Sequence, residues 1–216
     1  GVLWGWEVPA YVWTKAIATG TFLMMAVWHI FNGGLESSSE MVGLITTLVF
    51  MGLTGGLLVK DIDRPDRFLY VLLRPQWKSW LVRGAYIITS FGGFVSLKLL
   101  DNYLQLGLDW LWIPGLVFAG LGAVYTAFLF SQARARDLWQ TPIQSAIHML
   151  VHAVMAGSVV MMIIAPDSSQ WMVNILFWGI VANMIIIAKE ILLPHDTPDT
   201  KKSIELMTKG YYSKYF

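Results

Sequence analysis

Apolar residues run through this 216-residue chain in six long blocks, at about residues 10–31, 41–60, 80–101, 112–131, 143–165 and 170–193. Each is close to the roughly 20 residues that a helix needs to cross a bilayer core. Turn chemistry separates them. Asn32-Gly33-Gly34 and Ser37-Ser38-Ser39 follow the first block, and Pro65 and Pro75 lie in the long second connection. Pro114 opens the fourth block, where a first-turn proline is tolerated. Thr141-Pro142 opens the fifth, Pro166 closes it, and Pro194 follows the sixth. The pattern predicts an all-α integral membrane protein, a bundle of six transmembrane helices in a single domain over residues 1–216. An interfacial or docking loop is expected at 61–83 and a basic tail at 194–216. Gly43, Gly52, Gly55 and Gly56 in the second block, and Gly115, Gly120 and Gly122 in the fourth, predict close helix approach there.

Composition sharpens this picture. The chain is 56% hydrophobic and 13% charged, with mean hydropathy +0.58. A soluble domain carries about 25% charged residues, so a lipid environment is indicated. Eleven Trp and eleven Met suit aromatic girdles and adaptable interior packing. The absence of cysteine excludes disulfides, thiolate-held zinc or iron–sulfur clusters and c-type haem attachment in this chain. Nothing points to nucleic acid. The first apolar run is too polar for a cleavable signal. Gly1 rather than Met opens the chain, which is consistent with residues upstream.

Charge sets the expected topology. Six spans place the amino terminus, the second and fourth connections and the carboxyl tail on one side. That side holds 14 of the 15 basic residues, and only Lys98 lies opposite. The positive-inside rule makes the basic face, with both termini, cytoplasmic. A docked partner on the basic face would weaken that assignment.

The stretch Gly1 to Asn32 carries the first candidate chemistry. Glu7, Tyr11 and Lys15 are spaced four apart and share one helix face. They allow two readings. Lys15 snorkels to the headgroups while Trp4, Trp6, Tyr11 and Trp13 form an interfacial belt. Alternatively the three polar residues face a bundle interior or cavity, the usual place for ionisable groups in membranes.

The 61–83 loop alternates acids, arginines, prolines and aromatics. It contains Asp63-Arg64-Pro65-Asp66-Arg67-Phe68, then Leu73-Arg74-Pro75, Ser79-Trp80-Leu81 and Arg83-Gly84-Ala85. Arginine with aromatics suits a protein interface, and a loop lying on the headgroups is the competing reading. These runs resemble the NrfD/PsrC family of membrane quinone-binding subunits, which serve polysulfide reductase, a nitrite reductase electron-transfer module and alternative complex III. Trp4-Gly5-Trp6 through Tyr11, Thr19-Gly20, Asp137-Leu138-Trp139-Gln140-Thr141-Pro142, and His195-Asp196-Thr197 with Gly210 extend the resemblance along the chain. Members usually have eight or more spans, so six implies an incomplete copy. Well-known members dock their iron–sulfur partner outside the cytoplasm, on the face where the first helix starts. Here that face is the basic one. Either the partner lies in the cytoplasm or its binding overrides the charge rule.

The resemblance implies a subunit of a multi-subunit oxidoreductase in a bacterial cytoplasmic (inner) membrane. It would exchange electrons between menaquinone or ubiquinone and a docked iron–sulfur subunit, with a catalytic or cytochrome subunit beyond. A quinone site needs hydrogen-bond donors, a titratable group and an apolar slot. Glu7 and Tyr11 are the expected headgroup contacts, with Trp4, Trp6 and Trp13 as walls. Asp61, Asp63, Arg64, Arg67 and Arg83 would line the same face. Arg83, just inside the third span, is expected to pair with Asp61 or Asp63.

His148 and His152, four apart in the fifth span, suit a proton route between quinone and water, or are neutral and bonded to neighbouring helices. Sharing one face, they cannot both be axial to one haem iron, and His29 and His195 offer no matching depth. Haem is therefore not expected, and no metal ligand set is apparent. Asn183 and the threonines read as helix–helix glue. The alternative function is a proton- or ion-translocating subunit without its own quinone site, using Lys15, His148, His152 and Glu190. A route from Lys15 to His29 would be needed to move protons across the bilayer.

Overall fold

The computed structural model describes residues 6–61, 76–131 and 142–192, together with Glu205 and Lys209. Six helices are long and apolar enough to cross a membrane among these residues. They are α1 (Glu7–Asn32), α2 (Ser37–Asp61), α3 (Trp80–Leu104), α4 (Trp112–Ser131), α5 (Pro142–Ile164) and α6 (Ser169–Leu192). The expected spans are all present, each within a few residues of its predicted ends. Most of the loop at 61–83 and nearly all of the tail at 194–216 fall outside the described residues.

Local chemistry explains the ends. α1 stops where Gly33 adopts φ 82°, and its N–H bonds the His29 carbonyl at 3.0 Å. A left-handed cap of this kind suits glycine, which has no Cβ to clash. Pro142 is the first residue of α5, where its missing N–H costs no helical bond. Pro166 begins a short 3₁₀ turn, Pro166–Ser168, that separates α5 from α6.

α1 is the centre of the bundle. It packs against α2, α4 and α5, while α3 lies against α2 and α4. The most apolar stretch of α1 is 72% buried inside the protein, against 11% for α6, which leans on α5 at the edge. The core runs through Phe22, Met25, Leu44, Phe91 and Trp112. Phe22 meets Phe91 edge-on at 5.4 Å and Trp112 at 5.1 Å.

The closest helix crossing is not where the glycine-rich blocks placed it. Gly20 of α1 and Gly157 of α5 meet backbone to backbone: a Cβ on Gly20 would lie 1.8 Å from the Ala153 carbonyl oxygen. Gly43 is close to Met25, and Gly115 to Phe22. Gly52, Gly55, Gly56 and Gly120 have open space where a Cβ would be. Only part of the predicted glycine set therefore serves close packing.

Candidate functional site

On the flank of the bundle, α1, α5 and α6 enclose an open groove of about 580 Å³. Val8, Pro9, Val12, Trp13 and Ala16 supply the α1 wall, Met155, Ala156 and Val159 the α5 wall, and Leu176 the α6 side. The lining is almost wholly apolar, and His152 is its one titratable side chain among the described residues. Binding sites for small molecules commonly hold roughly 300–1,000 Å³ with a few placed polar groups. The groove forms because α6 contacts the bundle mainly through α5, leaving the outer face of α1 uncovered.

His152 continues into a polar chain. The rings of His148 and His152 stand 4.4 Å apart, nearly perpendicular. Both Nε2 atoms approach one oxygen, Asn183 Oδ1 on α6, at 2.8 and 2.9 Å. An amide oxygen only accepts, so both Nε2 atoms donate, and each Nδ1 is left as the basic nitrogen. His148 Nδ1 lies 3.5 Å from the Glu190 carboxylate near the end of α6. Glu190 is 41% exposed and His148 18%, and His152 is exposed where it lines the open groove, so the chain joins an accessible acid at the helix end to the groove. Asn183 is thus the acceptor that joins the two histidines as well as a link between helices. Its role was hidden in the sequence because a lone asparagine in a span gives no sign of its partners.

The groove does not gather every predicted headgroup residue. Trp13 forms part of its wall. Glu7 and Tyr11 do not line it; with Lys15 they occupy the neighbouring face of α1. Tyr11 is buried, and its hydroxyl has no hydrogen-bond partner among the described residues. Glu7 is half-buried in the first turn, and Trp6 is exposed at the helix end. Trp4, Asp63, Arg64 and Arg67 lie outside the described residues, as does the side chain of Asp61.

Arg83 stands in the first turn of α3 and is exposed, and its expected partners, Asp63 and the side chain of Asp61, lie outside the described residues. Its Nε–H donates to the Trp77 carbonyl at 2.6 Å, and its guanidinium lies 4.8 Å from the centre of the Trp80 ring. Trp80 in turn stacks on Phe128 of α4 at 4.6 Å.

Lys15 does not snorkel. It is 2% exposed, and its ammonium turns inward to α4, donating to the Ala123 carbonyl at 3.0 Å and to the Thr126 hydroxyl. Thr126 passes its own proton toward Met149 Sδ of α5 at 3.2 Å. The Tyr125 ring lies 5.0 Å from the lysine nitrogen. Among the described residues no carboxylate pairs with this cation.

A second polar cluster occupies the opposite end of the bundle. Lys98 Nζ donates to Asp101 at 2.5 Å and lies 3.3 Å from Asp109 and 3.7 Å from Glu40. Asn102 donates to Glu40 at 3.2 Å, and the Leu108 N–H to Asp101 at 2.9 Å. Lys98 also lies over the Trp112 ring, on which His29 stacks at 5.5 Å.

A six-span helical membrane protein with an apolar groove and a titratable chain leading to it is the class that fold and site define. The family model described as Polysulphide reductase, NrfD matches residues 1–216, and the chain belongs to that family. It is therefore a membrane subunit of the kind found in quinone-linked oxidoreductases, where it works with other redox subunits. No curated protein and no solved structure is a significant match.

Proposed function

We propose that this chain binds menaquinone or ubiquinone in the groove between α1, α5 and α6 and exchanges electrons with a docked iron–sulfur subunit. A quinol bound there supplies two electrons and two protons on oxidation. The apolar walls from Val8 to Ala16 and from Met155 to Val159 receive ring and tail and exclude water. Trp13 closes one side. His152, held by Asn183, hydrogen-bonds the headgroup and takes or returns a proton at Nδ1. His148 and Glu190 stand between that point and water, and because the shared Asn183 oxygen only accepts, the proton passes to His148 when the His152 ring turns. Substrate conversion lies on another subunit, a catalytic or cytochrome chain, and the assembly sits in a bacterial cytoplasmic membrane. The iron–sulfur subunit docks at the basic end, beside the start of α1 and the arginine-rich loop.

The observation carrying this reading is the placement of His152: it lines the groove and shares Asn183 with His148. The test is quinol oxidation by the assembled complex carrying His152→Gln. A lost proton-transfer group costs roughly 10²-fold or more in rate, and a drop of that size is expected. Wild-type turnover in the variant would remove the groove from the reaction.

A second reading puts the headgroup on the neighbouring face of α1, held by Tyr11 with Glu7 exchanging protons. The buried Tyr11 hydroxyl, without a partner among the described residues, favours it. Tyr11→Phe separates the two. If the groove is the site, turnover stays intact and stability is unchanged or rises by about 1 kcal/mol, because an unsatisfied buried hydroxyl is removed. If Tyr11 holds the headgroup, quinol affinity falls.

A further inference from the structure

Lys15 and His29 stand fourteen residues apart on α1, about 21 Å at the usual helical rise of about 1.5 Å per residue. Each marks a polar zone: Lys15 with Thr126 on one side of the bundle, His29 with Trp112 and Lys98 on the other. Phe22 lies midway, seven residues from each. Around it Met25, Leu44, Phe91, Val95 and Met161 are all 0% exposed, as is Phe22 itself. The layer draws its side chains from four helices, α1, α2, α3 and α5, and lies against α4. Gly43 lets Met25 pass, and Gly115 lets the Phe22 ring lie against α4.

The buried hydroxyls near this layer do not bridge it. Thr19 donates to the Lys15 carbonyl at 2.8 Å, Thr21 to Ile17 at 2.7 Å and Thr47 to Gly43 at 2.9 Å. Ser158 donates to Val154 at 2.8 Å. Each commits its proton to its own helix, one turn back, leaving no hydroxyl-to-hydroxyl chain through them. Water needs two to four polar partners to occupy an interior site, and apolar interior space stays dry. Apolar constrictions in channels stop ions by the same dewetting.

We propose that the Phe22–Phe91 layer is a dry septum, so that this subunit exchanges protons with the basic face alone and does not carry them across the membrane. The Glu190–His148–His152 chain serves one side. The Lys98 cluster is an ion network fixing the opposite loops, with no part in proton traffic. The septum is independent of the proposed function; its consequence for turnover, that both quinol protons leave on the Glu190 side, rests on it.

The experiment has a passive and a turnover arm. In the first, the full chain is reconstituted in vesicles with an internal pH dye, and a pH gradient is imposed with potassium and valinomycin present. Wild-type vesicles are expected to leak no faster than protein-free ones, as are those with the volume-conserving Met25→Leu. Phe22→Ser should leak several-fold faster. A wild-type flux that Lys15→Met or Lys98→Met abolishes overturns the septum, and so does a proton-tight, folded Phe22→Ser. In the second arm, the assembled complex oxidises quinol in sealed vesicles while protons are counted on each side. Two per quinol on the basic face are expected. More than two, or uptake from the other face, overturns the septum. Absence of quinol oxidation overturns the proposed function instead, and the passive arm still decides the barrier.

Discussion

Gly20 and Gly157 cross with no side chain between them, each so close that a Cβ would meet the partner backbone at 2.0 Å or less. Backbone cannot move aside as a flexible side chain can. This contact seats α5 on α1, and with it His148, His152 and one wall of the groove. Gly20→Ala should therefore lower stability by about 1–3 kcal/mol, the usual range for overpacking, and widen the α1–α5 spacing. Gly52→Ala, in open space, should be neutral or slightly stabilising through helix propensity. Thermal unfolding in detergent measures both.

Asn183 holds two imidazoles with one oxygen. Asn183→Leu removes the acceptor and frees both rings to turn. Because α6 is mostly exposed to its surroundings, the fold should survive. Quinol turnover should fall by roughly tenfold, less than the roughly 10²-fold of a deleted proton-transfer group. Asn183→Asp keeps an accepting oxygen at that position and should recover much of the rate. Steady-state quinol oxidation by the assembled complex separates these outcomes; equal rates in Asn183→Leu and wild type would make Asn183 helix glue alone.

The Lys98 cluster predicts a graded series. Lys98 and Asp101 are 3% and 4% exposed, whereas Asp109 is 67% exposed. Removing one partner of a buried ion pair costs about 3–5 kcal/mol, so Asp101→Asn should be strongly destabilising. It also weakens the bond to the Leu108 N–H. Asp109→Asn, at a solvated site, should cost under about 1 kcal/mol. Denaturation midpoints of the two variants order them.

Lys15 differs from Lys98 in having no carboxylate partner among the described residues. Replacing buried ionic groups by apolar residues of similar volume is often neutral or stabilising by about 1–4 kcal/mol. Lys15→Met should therefore hold or raise the unfolding temperature. A clear loss of stability would show that the bonds to Ala123 and Thr126 outweigh the cost of burying the cation.

The six spans and their ends were legible because they depend on local properties. Apolar length, Gly33 with a left-handed backbone, and prolines at 142 and 166 act within a turn or two of where they stand. The His148–His152 pairing was legible too, since a spacing of four puts residues on one helix face whatever surrounds them. So was the family, whose motifs are runs of neighbouring residues.

The packed chain alone decided which face of each helix looks inward. In lipid the inside and outside of a bundle are equally apolar, so periodicity does not mark the buried face as it does in water. That is why the groove could open beside Val8, Val12 and Ala16 while Tyr11 lies on the neighbouring face, and why Lys15 could be buried against α4. It is also why Gly20 and Gly157, 137 residues apart in sequence, and Asn183 with its two histidines became meaningful only when the helices were in place. Spans are a property of consecutive residues; the groove, the His148–Asn183–His152 cluster and the buried Phe22–Phe91 layer are properties of which helices touch.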